Sequence, residues 1–472
     1  MNLAEQTRWM DAVAQAELVR RREVTARDLL DAAAERIEAS APLNAVTLDL
    51  VERAQAQIAA GLPDGPLSGV PFLLKDLGGT LAGVPETMGS RAFKDWVPPE
   101  SSWLVQRYLD AGLVVAGKTN TPEFGNYCAT ESELLGLAVN PWDAERSPGG
   151  SSGGSAVAVS TGVVPAASGG DATGSIRMPS ACCGVVGLKP SRARVPVAPD
   201  GQWLDGLACL HGLTRTVRDT AALLDASAGP AVGDPYGALT PPSGFAAAAA
   251  ADPGRLRIML ALDPPFDGEL DPGVRAVVEE TARTLEGLGH AVEVGTPGFG
   301  DREAARHAVA VIHAVDNLGT YGFAAEVLGR PPHEDELEAV TWEMVRAGEK
   351  VTGLEHVEAV NAMHAAGRRF AQDCAGFDVL LCQSLNTTAP PLGTLTKATG
   401  SVDDFFDREF AVTGFTTAAN ITGWAAIQLP VGESGGMPAG VQLMAPGEAV
   451  LLSLASQLEK ATPWADRHPQ VS

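Results

Sequence analysis

Three side chains in this sequence stand where their types and surroundings suit chemistry: Lys75, Ser151 and Ser175. Lys75 ends an almost wholly apolar run, GVPFLLKD. Two readings are open for it. At a strand end it is a surface charge. Buried among its neighbours, its ammonium loses hydration, its pKa falls from about 10.4, and the neutral amine becomes a competent general base. Ser151 and Ser152 lie between two glycine pairs in SPGGSSGGSA. Such a segment is either a flexible turn or a backbone held in an unusual geometry, up to a cis peptide, of the kind found at functional sites. Ser175 follows Gly174 in GGDATGSIRMPS, where successive backbone N–H groups are able to converge on a developing oxyanion. With a base to take its proton, Ser175 is a nucleophile for acyl transfer.

Two better-known patterns are decoys. GLVVAGKT, Gly112–Thr119, satisfies the phosphate-loop expression, but a phosphate cradle needs a loop between a strand and a following helix. Here the apolar Leu113, Val114 and Val115 read as strand, and the helical stretch comes before them. GGSSG, Gly149–Gly153, satisfies the G-x-S-x-G elbow, which requires a strand leading into the serine. AERSPG is no strand, and none of His211, His307 and His313 is marked out as a partner.

The elements that must position these residues follow from the texture of the chain. Residues 5–60 read as helices, with Thr25 and Asp28 forming a capping box that opens Ala26–Ala39. From Leu67 onward, short apolar runs punctuated by Gly and Pro alternate with helical stretches such as Ser101–Ala111, the pattern of a mixed α/β core. The Pro/Gly/Ala-rich passage 229–254 reads as a loop or linker. Strands are expected at Leu256–Leu262, Phe377–Leu381 and Ala426–Leu429. Helices are expected at Val274–Leu288, onward to about residue 373, and at Val450–Leu458. The reading is one domain over 1–472, with a core catalytic segment at about 65–225 and a helical lobe at about 265–373.

Composition narrows the function further. A net charge of −24 repels phosphate backbones and anionic lipid surfaces, so neither nucleic acid nor membrane is expected as a partner. No apolar stretch approaches the roughly 20 residues of a membrane helix. The first residues mix charges of both signs and do not read as a secretory signal, which points to the cytoplasm. Six scattered cysteines without C-x-x-C spacing read as buried reduced thiols. No histidine pattern suggests a metal, and no cofactor is expected.

Taken together, these segments resemble the amidase signature family. The likeness covers most of the chain: the KD segment, TMGS at 87–90, GKTNTPEFGN at 117–126, NPW at 140–142, the Gly/Ser-rich core, RTVRD at 215–219 and LPVG at 429–432. The separation of the two serines, 175 − 151 = 24, matches that family's spacing. AQAELVR, LLKDL, TWEMV and CGVVGLKP are most similar to nylon-oligomer hydrolases of the cyclic-dimer type.

The resemblance implies a mixed sheet of about eleven strands covered by helices. It also implies a Ser–cis-Ser–Lys triad in which Lys75 is the base, Ser151 relays protons and Ser175 forms the acyl-enzyme. It places the oxyanion hole at the backbone of Ala172, Thr173, Gly174 and Ser175, and the acyl pocket at Gly125. Ser152, Asp171 and Arg177 become supporting residues, the last two serving equally well as a structural ion pair. Asn126 and Trp424 are assigned to the substrate channel. The sequence departs from the family pattern twice: Thr173 replaces a glycine before the nucleophile, and NITGWAA, Asn420–Ala426, replaces the usual x-Pro by Trp424–Ala425.

The expected activity is hydrolysis of an uncharged amide, oligoamide or carbamate, with a small molecule as the partner and a homodimer admissible. The alternative is an amidotransferase subunit of a tRNA-dependent complex, which the acidic charge disfavours. A catalytically dead binding protein is disfavoured because all three triad positions are filled.

Overall fold

The computed structural model describes residues 2–266, 268–396 and 401–470. Helices Leu3–Thr7 (α1), Ala12–Arg20 (α2) and Ala26–Ala39 (α3) open the chain. The Thr25 side chain caps the Asp28 N–H and the Asp28 carboxylate returns to the Thr25 backbone, so α3 begins where the capping box placed it. The helical reading of 5–60 is broken by Val46–Asp49 (β1), before Val51–Ala60 (α4). Four residues are too few to show a period in sequence; β1 exists because it pairs antiparallel with a later strand.

The part of the sheet that carries Lys75 follows. Pro71–Lys75 (β2) and Val114–Thr119 (β3) are parallel neighbours joined through Trp103–Asp110 (α5), whose N-cap is Ser102. A short ribbon, Glu131–Ser132 (β4) with Gly136–Leu137 (β5), precedes Gly153–Ser160 (α6), Ala166–Asp171 (β6), Arg177–Cys183 (α7), Val186–Lys189 (β7) and Cys209–Thr214 (β8). Val217–Ser227 (α8) and Phe245–Ala250 (α9) come next. The second of these corrects the loop reading of 229–254: its alanines favour helix, and the Asp225 carboxylate accepts hydrogen bonds from the Phe245 and Ala246 N–H groups at its start.

In the last third, Arg257–Leu260 (β9), Pro272–Gly287 (α10) and Ala291–Val294 (β10) lead into three helices, Arg302–Leu328 (α11), Ala339–Gly348 (α12) and Gly353–Asp373 (α13). β10 interrupts what reads as continuous helix. Val379–Cys382 (β11), Val402–Val412 (α14), Thr416–Thr422 (α15), Ala425–Ser434 (β12), Met437–Ala445 (β13) and Glu448–Ala461 (α16) complete the fold. β13 had a legible signal: Gly435 and Gly436, at φ 59° and 79°, form the positive-φ pair of a tight hairpin turn.

Eleven strands form one mixed sheet in the order β1-β3-β2-β6-β8-β7-β12-β13-β11-β9-β10. Apolar layers cover both faces. Every residue of β2 is buried, so its apolar run is that of a strand covered on both sides. Successive strand side chains point to opposite faces. Phe72 and Leu74 enter one layer, whereas Leu73 enters the layer that holds α6 and α7. By the same alternation Lys75 projects toward α6 and α7. Among the described residues, no helix is long and apolar enough to cross a membrane.

The phosphate-loop decoy is settled by β3. Lys118 is wholly buried there, its Nζ 2.8 Å from the Asp76 carboxylate and 3.1 Å from that of Glu86. It is a lysine committed to a buried ion-pair cluster.

Candidate active site

β2 ends by carrying Lys75 into a buried setting, with 2% of its surface exposed. Its backbone N–H donates to Ser168 Oγ at 2.8 Å, fixing the strand end against β6. Its Nζ lies 2.6 Å from Ser151 Oγ in a hydrogen bond. Burial pushes the Lys75 pKa down to about 7, while the negative charge of Asp171 opposes the shift. The surface-charge reading of Lys75 is thereby excluded.

Ser151 sits in the loop before α6, and the Gly150–Ser151 peptide is cis. The flanking glycines are required by close approach: a Cβ on Gly150 would stand 2.4 Å from the Ala129 carbonyl oxygen. Gly125, at φ 72°, is also close, since a Cβ there would stand 3.1 Å from Ser151 Oγ. Ser152 links the two serine segments: its N–H donates to the Ser175 carbonyl at 3.1 Å and its hydroxyl to the Gly170 carbonyl at 3.3 Å.

Ser175 is delivered by the turn between β6 and α7 and is 6% exposed. Thr173 is not among the positive-φ residues. Gly174 takes that conformation, at φ 142°, where a Cβ would lie 2.6 Å from Thr416 Oγ1. The β-branched departure at 173 is therefore accommodated without forcing Thr173 out of its preferred region. Beneath the turn, Arg177 grips Asp171 through two bonds, Nε–Oδ2 at 2.9 Å and Nη2–Oδ1 at 2.7 Å, with both side chains fully buried. Burial alone would raise the Asp171 carboxyl, but the Arg177 guanidinium holds it below the usual carboxylate range. Asp171 also accepts the Ile176 N–H at 3.1 Å, and Asn420 of α15 donates to both its carbonyl and its carboxylate at 3.0 Å. Breaking such a buried pair typically costs about 3–5 kcal/mol, which makes this network the brace of the turn.

Lys75, Gly125, Asn126, Ser151, Asp171, Ala172, Thr173 and Ser175 line one cavity of about 40 Å³. Ser152 and Arg177 do not line it but bond to residues that do. Asn126 exchanges amide hydrogen bonds with Asn317 of α11 at 2.8 and 3.1 Å, tying the cavity wall to that helix. Trp424 is absent from the lining. α15 ends at Gly423, φ 74°, and the chain turns directly into β12, so the Trp424 ring packs edge-on against Phe370 of α13 at 6.4 Å. Trp424 is thus not brought to the cavity that Lys75, Ser151 and Ser175 line.

This arrangement, a buried near-neutral lysine bonded to a cis-serine beside a second serine in a braced turn, agrees with a family comparison. The family model described as Amidase matches residues 27–449. The chain belongs to the amidase signature family. It is an amidase, an enzyme that hydrolyses amide bonds. It is 39% identical to the 6-aminohexanoate-cyclic-dimer hydrolase of Paenarthrobacter ureafaciens, over 98% of this chain and 97% of that one. A solved structure of a 6-aminohexanoate cyclic dimer hydrolase complexed with substrate superposes with a TM-score of 0.94 at 37% identity, covering 98% of this chain and 99% of that one. A more distant fold relative, one subunit of the glutamyl-tRNA(Gln) amidotransferase of Thermotoga maritima, gives 0.73 at 24% identity, covering 97% of this chain and 96% of that one.

The amidase cavity also holds residues that the sequence reading did not single out. Glu409 of α14 is buried and accepts from the Cys128 N–H at 2.9 Å and the Cys128 thiol at 2.6 Å; burial pushes its carboxyl up to about 7. His313 bonds the Val309 carbonyl at 2.8 Å, and burial lowers its pKa to about 4, so it is neutral at pH 7. The signal for Glu409 lay in its spacing, since Phe405, Phe406 and Phe410 occupy the same buried side of α14. Among the described residues, no group of three His, Cys, Asp or Glu side chains is placed to hold a metal ion.

Proposed function

We propose that this amidase hydrolyses uncharged amides, oligoamides or carbamates through an acyl-enzyme on Ser175. The observation that carries the reading is the 2.6 Å bond between Ser151 Oγ and a buried Lys75 whose pKa is lowered to about 7. A neutral Lys75 accepts the Ser151 proton as Ser151 takes that of Ser175, and Ser175 Oγ attacks the carbonyl carbon. Backbone N–H groups of residues 172–175 face the oxyanion, in the turn braced by Asp171 and Arg177. Collapse of the tetrahedral intermediate breaks the C–N bond, and the proton held by Lys75 returns through Ser151 to the leaving nitrogen. Water then cleaves the Ser175 ester by the same relay in reverse order, releasing the acid. With a carbamate, the acyl group left on Ser175 is an alkoxycarbonyl, which water releases as a carbonic monoester.

Similarity to a 6-aminohexanoate-cyclic-dimer hydrolase over 98% of the chain favours an oligoamide of the nylon type within this class. The test is the purified chain alone on a panel of aryl amides, linear and cyclic aminohexanoate oligomers and urethanes, with products read by mass spectrometry. Turnover of at least one panel member without a partner protein is expected. Inactivity on the whole panel, restored to glutamine hydrolysis only by a tRNA-dependent complex, would replace the reading with the amidotransferase one.

A further inference from the structure

The cavity that holds the triad is too small for a substrate. Its volume of about 40 Å³ compares with the roughly 300–1,000 Å³ of sites that enclose a whole small molecule. A second chamber of about 680 Å³ adjoins it, and four residues, Leu77, Phe124, Trp203 and Asp316, line both. They stand where the two spaces meet. The Trp203 indole is set there by glycines: a Cβ on Gly78 would lie 3.3 Å from its ring, and one on Gly170, next to Asp171, 3.8 Å. Its side chain also hydrogen-bonds the Asp316 carboxyl of α11.

The lining of the chamber tells what fits. Trp96, Phe124, Trp203 and Phe323 supply aromatic faces, and Trp96 and Phe323 meet edge-on at 5.2 Å. Among the described residues no lysine, arginine or histidine lines it, whereas Glu100, Asp200 and Asp316 do. Glu86 also reaches it but is paired with Lys118. An apolar chamber with carboxyls and no cation receives hydrocarbon and rejects a carboxylate.

We propose that this chamber is the binding site for one hydrocarbon arm of the amide substrate, an arm whose far end is uncharged or an ammonium, never a carboxylate. Trp203, which borders both this chamber and the cavity of the reacting carbonyl, is then a specificity-determining residue. The proposal rests on the Ser175 reading, because it takes the triad cavity as the place where the arm is cut off.

Gly319 of α11 provides the test. It lines the chamber at its exposed rim, and an added Cβ meets no atom within 4 Å, so a larger side chain has room to lean across the mouth. A glycine replaced in mid-helix also gains helix propensity, so Gly319→Phe is expected to fold. Thr320→Phe, at the next lining position, gives a second reading. The substrates are N-alkyl alkanamides whose acyl and amine arms are lengthened separately from two to six carbons. In the wild type, one of the two series gains at least about tenfold in kcat/KM, as burial of several methylenes requires. In Gly319→Phe that long-to-short ratio falls to about one. An ω-carboxylate on the long arm lowers kcat/KM by about tenfold or more, and an ω-ammonium does not. A wild-type ratio near one in both series, a ratio unmoved by both variants, or a carboxylate arm accepted as readily as a methyl one overturns the proposal. Each of these leaves the triad standing, which fails only if Ser175→Ala still turns over the short substrate.

Discussion

Ser175→Ala is expected to lower kcat for amide hydrolysis by a factor on the order of 10⁵, because in the proposed mechanism it removes the atom that forms the bond to the substrate. The protein stays folded, since the brace of the turn is made by Asp171, Arg177 and Asn420 and not by the Ser175 hydroxyl. The triple replacement of Lys75, Ser151 and Ser175 is scarcely worse than Ser175→Ala alone. Residues that act as one relay are non-additive: once the nucleophile is gone, nothing remains for the base to activate. Single-turnover assays on an anilide, with circular dichroism as the folding control, check both statements. Independent, multiplying losses from the three positions would mean that they do not act as a unit.

The second large effect belongs to Lys75. A base must be neutral to accept a proton, so kcat/KM for the wild type rises as pH climbs through about 7, where burial has placed the lysine, and then levels. Lys75→Ala loses about 10³-fold or more on amides, whose leaving nitrogen needs a proton. It loses much less on activated esters, whose leaving group departs without one. The assignment of the pH limb needs one control, because Glu409 faces the same cavity and its carboxyl is pushed to about 7 by burial. Glu409→Gln keeps the rising limb if Lys75 is the group responsible. His313 does not account for it, since burial holds its pKa near 4 and it is neutral on both sides of the limb. Near wild-type amide hydrolysis by folded Lys75→Ala would exclude it as the base.

The candidate site was legible in sequence where its residues share one Gly/Ser-rich segment. Ser151, Ser152, Gly174 and Ser175 lie within one short stretch, and their glycines mark the close approaches seen at Gly150 and Gly174. Lys75 was legible as a residue in an apolar run but not as a buried one; that follows only when α6 and α7 cover its face of the sheet. Asp171 and Arg177 were equally compatible with a structural pair or a direct role, and the geometry makes them a brace whose carboxylate also borders the cavity. Thr173 stands where the family pattern has a glycine, and the structure puts the positive φ on Gly174 instead.

The far wall of the cavity was the least legible part. Trp203, Asp316 and Glu409 come from three separate segments beyond the Ser175 turn, the last of them in α14. Local spacing marks Glu409 only as facing the core; what brings the three to Lys75, Ser151 and Ser175 is tertiary packing, which no local pattern encodes. Trp424 lies near a family motif in sequence, and its ring meets Phe370 outside the lining of this cavity. Among the strands, β1 and β10 are four residues each and exist through their partners, which is why local periodicity passed over them.

The central claim is that Ser175, and neither neighbouring serine, carries the acyl group. Incubation of the purified enzyme with a serine-directed phosphonyl fluoride, followed by digestion and peptide mass spectrometry, measures it directly. One adduct per chain is expected, on the peptide containing Ser175, forming faster as pH rises through about 7 and absent from Ser175→Ala. An adduct on Ser151 or Ser152, or one that persists in Ser175→Ala, would contradict the account and reverse the roles of nucleophile and relay.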